Sequence, residues 1–157
     1  MPSANKIPLL VGAFFSILLM SAIITGAKAG SDPENTLLMD LKDGQVTILM
    51  RPDLAPGHVK RIKQLVREKF YDGIVFHRVI GGFMAQTGDP TGTGRADSQF
   101  FIVLASSRFL DGKYTVWGQV IDGMKYVGKI KRGDDAANGR VENPDRIIRL
   151  RIAADVK

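Results

Sequence analysis

Arg78 stands in the run Phe76-His77-Arg78-Val79-Ile80, one cation among largely apolar residues, and Gly81-Gly82 then turns the chain into Phe83-Met84-Ala85-Gln86. A guanidinium is always charged and presents its N–H groups in a fixed fork, so it donates hydrogen bonds and does not act as a base. Beside aromatic and thioether side chains it suits a reaction in which an apolar group is held and one polar atom of it is engaged. The same arginine also fits half of an ion pair with an acid such as Asp72 or Asp89, and local sequence does not separate the two. A second apolar block, Ser98-Gln99-Phe100-Phe101-Ile102, follows soon after.

Other chemistry finds weaker support. Asp89-Pro90-Thr91-Gly92-Thr93-Gly94 lacks the Gly-Lys-Ser/Thr ending and the glycine spacing of a phosphate cradle, and it reads as a turn. Gly133-Asp134-Asp135, with Asn138-Gly139 and Glu142, departs from EF-hand spacing and reads as a polar loop. His58 and His77 have no third ligand in view, so no metal is expected. His77 reads as a hydrogen-bonded core histidine rather than a base. The absence of cysteine excludes disulfides, thiol catalysis and thiolate metal sites.

The elements that must position these residues follow from periodicity. Thr36–Leu41 and Gln45–Met50 read as strands around a Lys42-Asp43-Gly44 turn. Pro56 suits a helix start, because its missing N–H costs nothing there. Val59, Ile62, Leu65 and Val66 then share one face of a helix running to Lys69 and stopped by Tyr71-Asp72-Gly73, with lysines and arginines mostly on the solvated side. Val75–Ile80, Phe83–Thr87, Gln99–Leu104 and Thr115–Ile121 read as strands, and Met124, Val127 and Ile130 mark a short second helix. Lys131–Pro144 reads as a loop. Arg146–Ala153 closes the chain as a strand with Ile148, Leu150 and Ile152 on one side. About seven short strands and two helices favour a barrel or sandwich.

Bulk properties agree with one domain. The chain has 157 residues, 45% of them hydrophobic and 24% charged, with a formal net charge of +6. Acids are interspersed among the bases from Asp32 onward, so the balance reads as a basic soluble surface and nucleic-acid binding is not expected. Ile7–Ala27 carries no charge, and Ala27-Lys28-Ala29 has the small-x-small form of a signal-peptidase site. Residues 1–29 therefore read as a signal peptide, with an uncleaved membrane anchor as the alternative, since the run is long enough for a bilayer core of about 30 Å. Residues 30–35 read as a linker and 36–157 as the folded domain. Either leader implies export, to the periplasm or to the outer side of the inner membrane.

Phe76-His77-Arg78-Val79-Ile80-Gly81-Gly82-Phe83-Met84-Ala85-Gln86-Thr87-Gly88-Asp89 closely resembles the signature of cyclophilin-type peptidyl-prolyl isomerases. Ser98–Ile102 and Phe109-Leu110-Asp111-Gly112-Lys113-Tyr114-Thr115-Val116-Trp117-Gly118 resemble the later blocks of that family, in the same order. The resemblance spans residues 36–154. It implies an antiparallel β-barrel of eight strands capped by two helices, with the groove on its outer face. It also implies Arg78 as the catalytic residue, and Phe83, Met84, Phe101 and Leu110 as the proline pocket. Gln86 and Gln99 become polar groove residues. Phe109 stands where many relatives have tryptophan, and Tyr114 where many have histidine. The implied partners are proline-containing polypeptides, with cyclosporin-type inhibitors as further ligands and no cofactor.

One departure bears on all of this. Between Gly94 and Ser98 relatives carry roughly 35 further residues, enough for one strand and its connections. The expectation is thus a cyclophilin-like barrel lacking one strand, with an isomerase site that has lost one wall. A non-catalytic proline-peptide binder or chaperone, a remnant of a cyclophilin, and a domain completed by another chain fit the same residues.

Overall fold

A computed structural model describes residues 32–91 and 98–156. The leader, the first two residues of the linker and the Gly94–Asp97 junction lie outside these. Asp32–Asn35, read as linker, opens the described chain as a short 3-10 turn at Pro33–Asn35, with the Asp32 side chain accepting from the Glu34 N–H.

Among the described residues seven strands form two antiparallel sheets. β1 (Thr36–Leu41) and β2 (Gly44–Met50) make the expected hairpin, with Leu41 opposite Gly44. β6 (Gly118–Asp122) adds beside β2 and β7 (Arg149–Ile152) beside β1, giving the order β6-β2-β1-β7. β3 (Arg78–Ile80), β4 (Met84–Thr87) and β5 (Phe100–Val103) form the second sheet in that order. The fold is mainly β with two helices, as expected.

The resemblance implied a closed barrel, and among the described residues the barrel is not closed. On one side the two sheets are joined by irregular backbone. Ile147 N–H donates to Ile74 O at 2.9 Å, Gly73 N–H to Ile147 O at 2.8 Å and Phe76 N–H to Asp145 O at 2.9 Å. The outer edge of β3 is covered by the 133–141 loop, through Gly133 N–H to Val79 O and Val79 N–H to Gly139 O. On the other side β5 pairs only with β4 and β6 only with β2. The gap therefore falls between β5 and β6.

Helix α1 (Pro56–Arg67) starts at the proline and buries Val59, Ile62, Leu65 and Val66 against the core, packing on β7. It ends at Arg67, just short of the expected Lys69. Lys69 takes φ +57°, Phe70 N–H reaches Leu65 O and Lys69 N–H reaches Val66 O, a Schellman stop with lysine where glycine is usual. α2 is one turn, Met124–Val127.

The core unites Leu37, Met39, Val46, Ile48 and Met50 of the hairpin with Phe76, Val79, Ala85, Phe100, Leu150 and Ile152. In the last strand Leu150 and Ile152 are buried between the two arginines, as expected, and only Ile148 departs from that face. Ile147 is fully buried and Ile148 is 56% exposed, because Ile147 still belongs to the irregular segment bonded to residues 73 and 74, and Ile148, whose N–H donates to Asp40 O at 2.8 Å, only leads into β7. A chain of edge-on aromatic contacts, Tyr71–Phe100 at 5.6 Å and Phe100–Trp117 at 5.3 Å, runs from α1's exit to the start of β6. It links the two sheets beneath the gap.

Candidate active site

The register of β3, β4 and β5 builds the site. Arg78 lies opposite Gln86, and Gln86 opposite Phe101, so the three stand in one row across the sheet. Side chains alternate along a strand, so the same face also carries Met84. The opposite face carries Val79, Ala85, Thr87, Phe100 and Ile102, all buried. The core thus holds the sheet from behind and the row is presented outward.

β5 is held beside β4 by a close buried contact. Gly88 has φ +89°, and a Cβ there would meet Ser98 O at 2.4 Å. Ser98 Oγ donates to Gly88 O at 2.6 Å, and Tyr71 Oη donates to Ser98 O at 3.0 Å. Only glycine admits this approach at this backbone conformation.

Arg78 is not in an ion pair with Asp72 or Asp89. Asp72 accepts from the Leu150 N–H at 2.9 Å, and Asp89 accepts from the Thr91 N–H and hydroxyl. Instead Arg78 Nε donates to Asn138 O at 2.9 Å, Nη2 to Asn138 Oδ1 at 2.8 Å and Nη1 to Gln86 Oε1 at 3.3 Å. Gln86 Nε2 in turn donates to Gln99 Oε1 at 2.7 Å. The guanidinium is oriented by neutral acceptors, so its charge is not cancelled, and its five N–H groups leave donors over for a substrate.

The aromatic residues gather in two pairs. Phe83 and Phe109 have ring centroids 5.2 Å apart, and Phe101 and Tyr114 meet edge to face at 5.2 Å. Gln99, Phe101, Leu110 and Tyr114 line one cleft of about 1020 Å³. Arg78, Phe83, Met84, Gln86 and Phe109 do not line it. Met84 is buried, whereas Phe109 and Tyr114 are about 60% exposed. The residues named from sequence therefore form a polar row, Arg78-Gln86-Gln99, that meets an aromatic wall at Phe101.

Asn138 is the residue the sequence reading missed. It comes from the 133–141 loop, 60 residues from Arg78, and has φ +55°. The Asn138-Gly139 dipeptide was visible as a turn signal, but nothing local tied it to Arg78. His77 departs from expectation in another way. Its Nδ1 is buried with no hydrogen-bond partner among the described residues. Burial pushes its pKa below the usual histidine value, the Asp89 charge opposes that and the Arg78 charge adds to it. The 133–142 segment is a turn, in which Asp134 Oδ1 accepts from the Ala136 N–H. No group of metal-binding side chains occurs among the described residues.

Comparison with known proteins agrees with this architecture. The family described as cyclophilin type peptidyl-prolyl cis-trans isomerase/CLD matches residues 36–97 and 92–152. A probable peptidyl-prolyl cis-trans isomerase of Brucella suis biovar 1 is 44% identical over 191 aligned positions, covering 94% of this chain and 96% of that protein. Peptidyl-prolyl cis-trans isomerase-like 1 of Rhizopus delemar is 34% identical, covering 76% of this chain and 94% of that protein. Cyclophilin AquaCyp293 from Hirschia baltica superimposes with a TM-score of 0.71 at 23% identity, over 80% of this chain and 76% of that one. A Cryptosporidium parvum cyclophilin type isomerase, crystallised in the presence of the dipeptide Ala-Pro, gives 0.66 at 22% identity over 74% and 98%. The Brucella alignment is longer than the 157 residues of this chain, and the family match breaks in two at residues 92–97. The relatives' extra segment thus falls at the junction marked in the sequence. The chain belongs to the cyclophilin-type peptidyl-prolyl cis-trans isomerase family.

Proposed function

We propose that the chain isomerises X–Pro peptide bonds, with Arg78 as the donor that stabilises the twisted bond. Resonance between the nitrogen lone pair and the carbonyl sets a barrier of about 18–20 kcal/mol. As the bond rotates, the lone pair returns to nitrogen and becomes a hydrogen-bond acceptor. A pre-oriented guanidinium donates to it there and not in the planar ground state, so the interaction favours the transition state selectively. Phe83, Met84, Phe101 and Leu110 hold the ring, with Phe109 and Tyr114 at the margin, and Gln86 and Gln99 keep the polar row in place. The observation that carries this reading is the row itself: Arg78, oriented by Asn138 and Gln86, paired with no acid among the described residues, and level with Phe101.

The test is NMR exchange on an Ala-Pro peptide with the full chain present. Catalysed exchange between the cis and trans signals is expected. Binding without acceleration would instead support the non-catalytic peptide binder, a reading favoured by the open cleft beside the groove. Cyclosporin-type macrocycles are proposed to compete for the same groove. The clients are proposed to be proteins folding after export, with residues 1–29 removed on the way to the periplasm. Mass spectrometry of the exported protein should find a chain beginning at Gly30, and a retained leader would make it an anchor.

A further inference from the structure

We propose that the open cleft between β5 and β6 accepts the extended segment flanking a substrate's proline as an added β-strand. This rests on the isomerase reading and extends it to the shape of the substrate.

Among the described residues both walls of the cleft are unpaired strand edges. Leu104 N–H donates to Phe83 O at 2.8 Å, so backbone groups in phase with it, at Phe100 and Ile102, face β4. By alternation the backbone groups of Phe101 and Val103 face the other way. Across the cleft Trp117 O accepts from the Arg51 N–H at 2.8 Å, so Trp117 and Gln119 face β2. Gly118 and Val120 then turn their backbone groups outward. Phe100–Val103 and Trp117–Val120 line the same cleft, with Ile48 between them. Exposed apolar side chains concentrate there as well, including Val103, Tyr114, Val116 and Met124.

An extended backbone is the occupant that satisfies two such edges at once, since it carries donors and acceptors along both sides. An apolar small molecule would leave them unpaired. The occupant is set by continuity with the proline site, because Gln99, Phe101, Leu110 and Tyr114 belong to both. Proline has no N–H to give to a ladder. The added strand is therefore made by the residues next to it, with the ring seated at Phe101.

The experiment compares a tetrapeptide containing Ala-Pro with the same peptide extended by four alternating valine and threonine residues, at either end, using the full chain. The favoured extension should tighten binding by about tenfold or more, as several backbone hydrogen bonds of ordinary net strength form together. N-methylation of alternate amides in the extension should return affinity to that of the tetrapeptide. Val103→Pro, which removes an outward N–H and no ladder bond, should reduce the gain, read as the ratio of extended-peptide to tetrapeptide affinity in the same variant. Equal binding of the two peptides, or no effect of N-methylation, would overturn the proposal. So would a dimer that extended peptide does not dissociate, or a gain seen only after removal of residues 1–31, since these assign the cleft to a second copy or to the chain's own leader. Tetrapeptide turnover separates the two levels: its absence sinks the isomerase reading, and its presence without a gain sinks only the added strand.

Discussion

Replacing Asn138 with glycine should slow isomerisation while leaving the fold and substrate binding nearly unchanged. Asn138 accepts from Arg78 twice, through its carbonyl at 2.9 Å and its side chain at 2.8 Å. Glycine keeps the carbonyl and tolerates the φ of +55°, so only the side-chain bond is lost. A hydrogen bond to a charged group contributes about 1.5–3 kcal/mol when buried. Asn138 is exposed, so water replaces much of it. About 1 kcal/mol then remains, roughly a fivefold loss in kcat/KM, carried by kcat because the guanidinium acts in the twisted state. Asn138→Ala should show the same kinetic loss plus about 1 kcal/mol of backbone strain in thermal unfolding. The assay is NMR exchange or protease-coupled isomerisation of an Ala-Pro peptide, with Tm measured on the same samples. Wild-type kcat in Asn138→Gly, in a protein whose Arg78 variants are impaired, would refute the claim that Asn138 positions the guanidinium.

Two further outcomes follow from the packing. Ile147→Ala should cost about 2–5 kcal/mol and Ile148→Ala less than about 0.5 kcal/mol, since only the first empties a buried site; denaturant unfolding of the two variants checks this, and equal losses would contradict the burial of Ile147 in place of Ile148. His77, whose folded pKa is depressed by burial, should destabilise the fold as pH falls through 6.5, where the unfolded chain takes up a proton that the folded chain does not. The loss should stop growing below the folded pKa and stay under about 1.4 kcal/mol per pH unit. The wild-type minus His77→Gln difference in stability between pH 7.5 and 5 measures it, and a flat difference would exclude the effect.

Local elements were largely legible in the sequence because their signals are local. The Lys42-Asp43-Gly44 turn, the Pro56 helix start and the apolar periods of β2 and α1 each specify their own geometry. The hydrogen bonds that join Arg78, Gln86 and Gln99 run from β3 to β4 and from β4 to the residue before β5, so strand register alone brings the three together. Longer-range features were less legible. The Schellman stop uses Lys69 instead of glycine, so the sequence carried no sign of it. Ile147 and Ile148 are equally apolar, and the choice between them is made by backbone bonds to residues 73 and 74. Asn138 reaches Arg78 only through the closure of β3 against a distant loop. The short spacing before Ser98 did indicate a missing strand, and the two edges at β5 and β6, unpaired among the described residues, are its counterpart in the fold.

The most direct test of the central claim is the isomerisation rate of Arg78→Ala beside wild type and Arg78→Lys, on one Ala-Pro peptide under matched conditions. Loss of a donor aimed at transition-state charge costs about a hundred- to a thousandfold in kcat. Lysine, a point charge without the planar fork, should recover only part of it. Peptide affinity should fall far less than kcat, because the aromatic wall is untouched. Equal rates for Arg78→Ala and wild type would contradict the account.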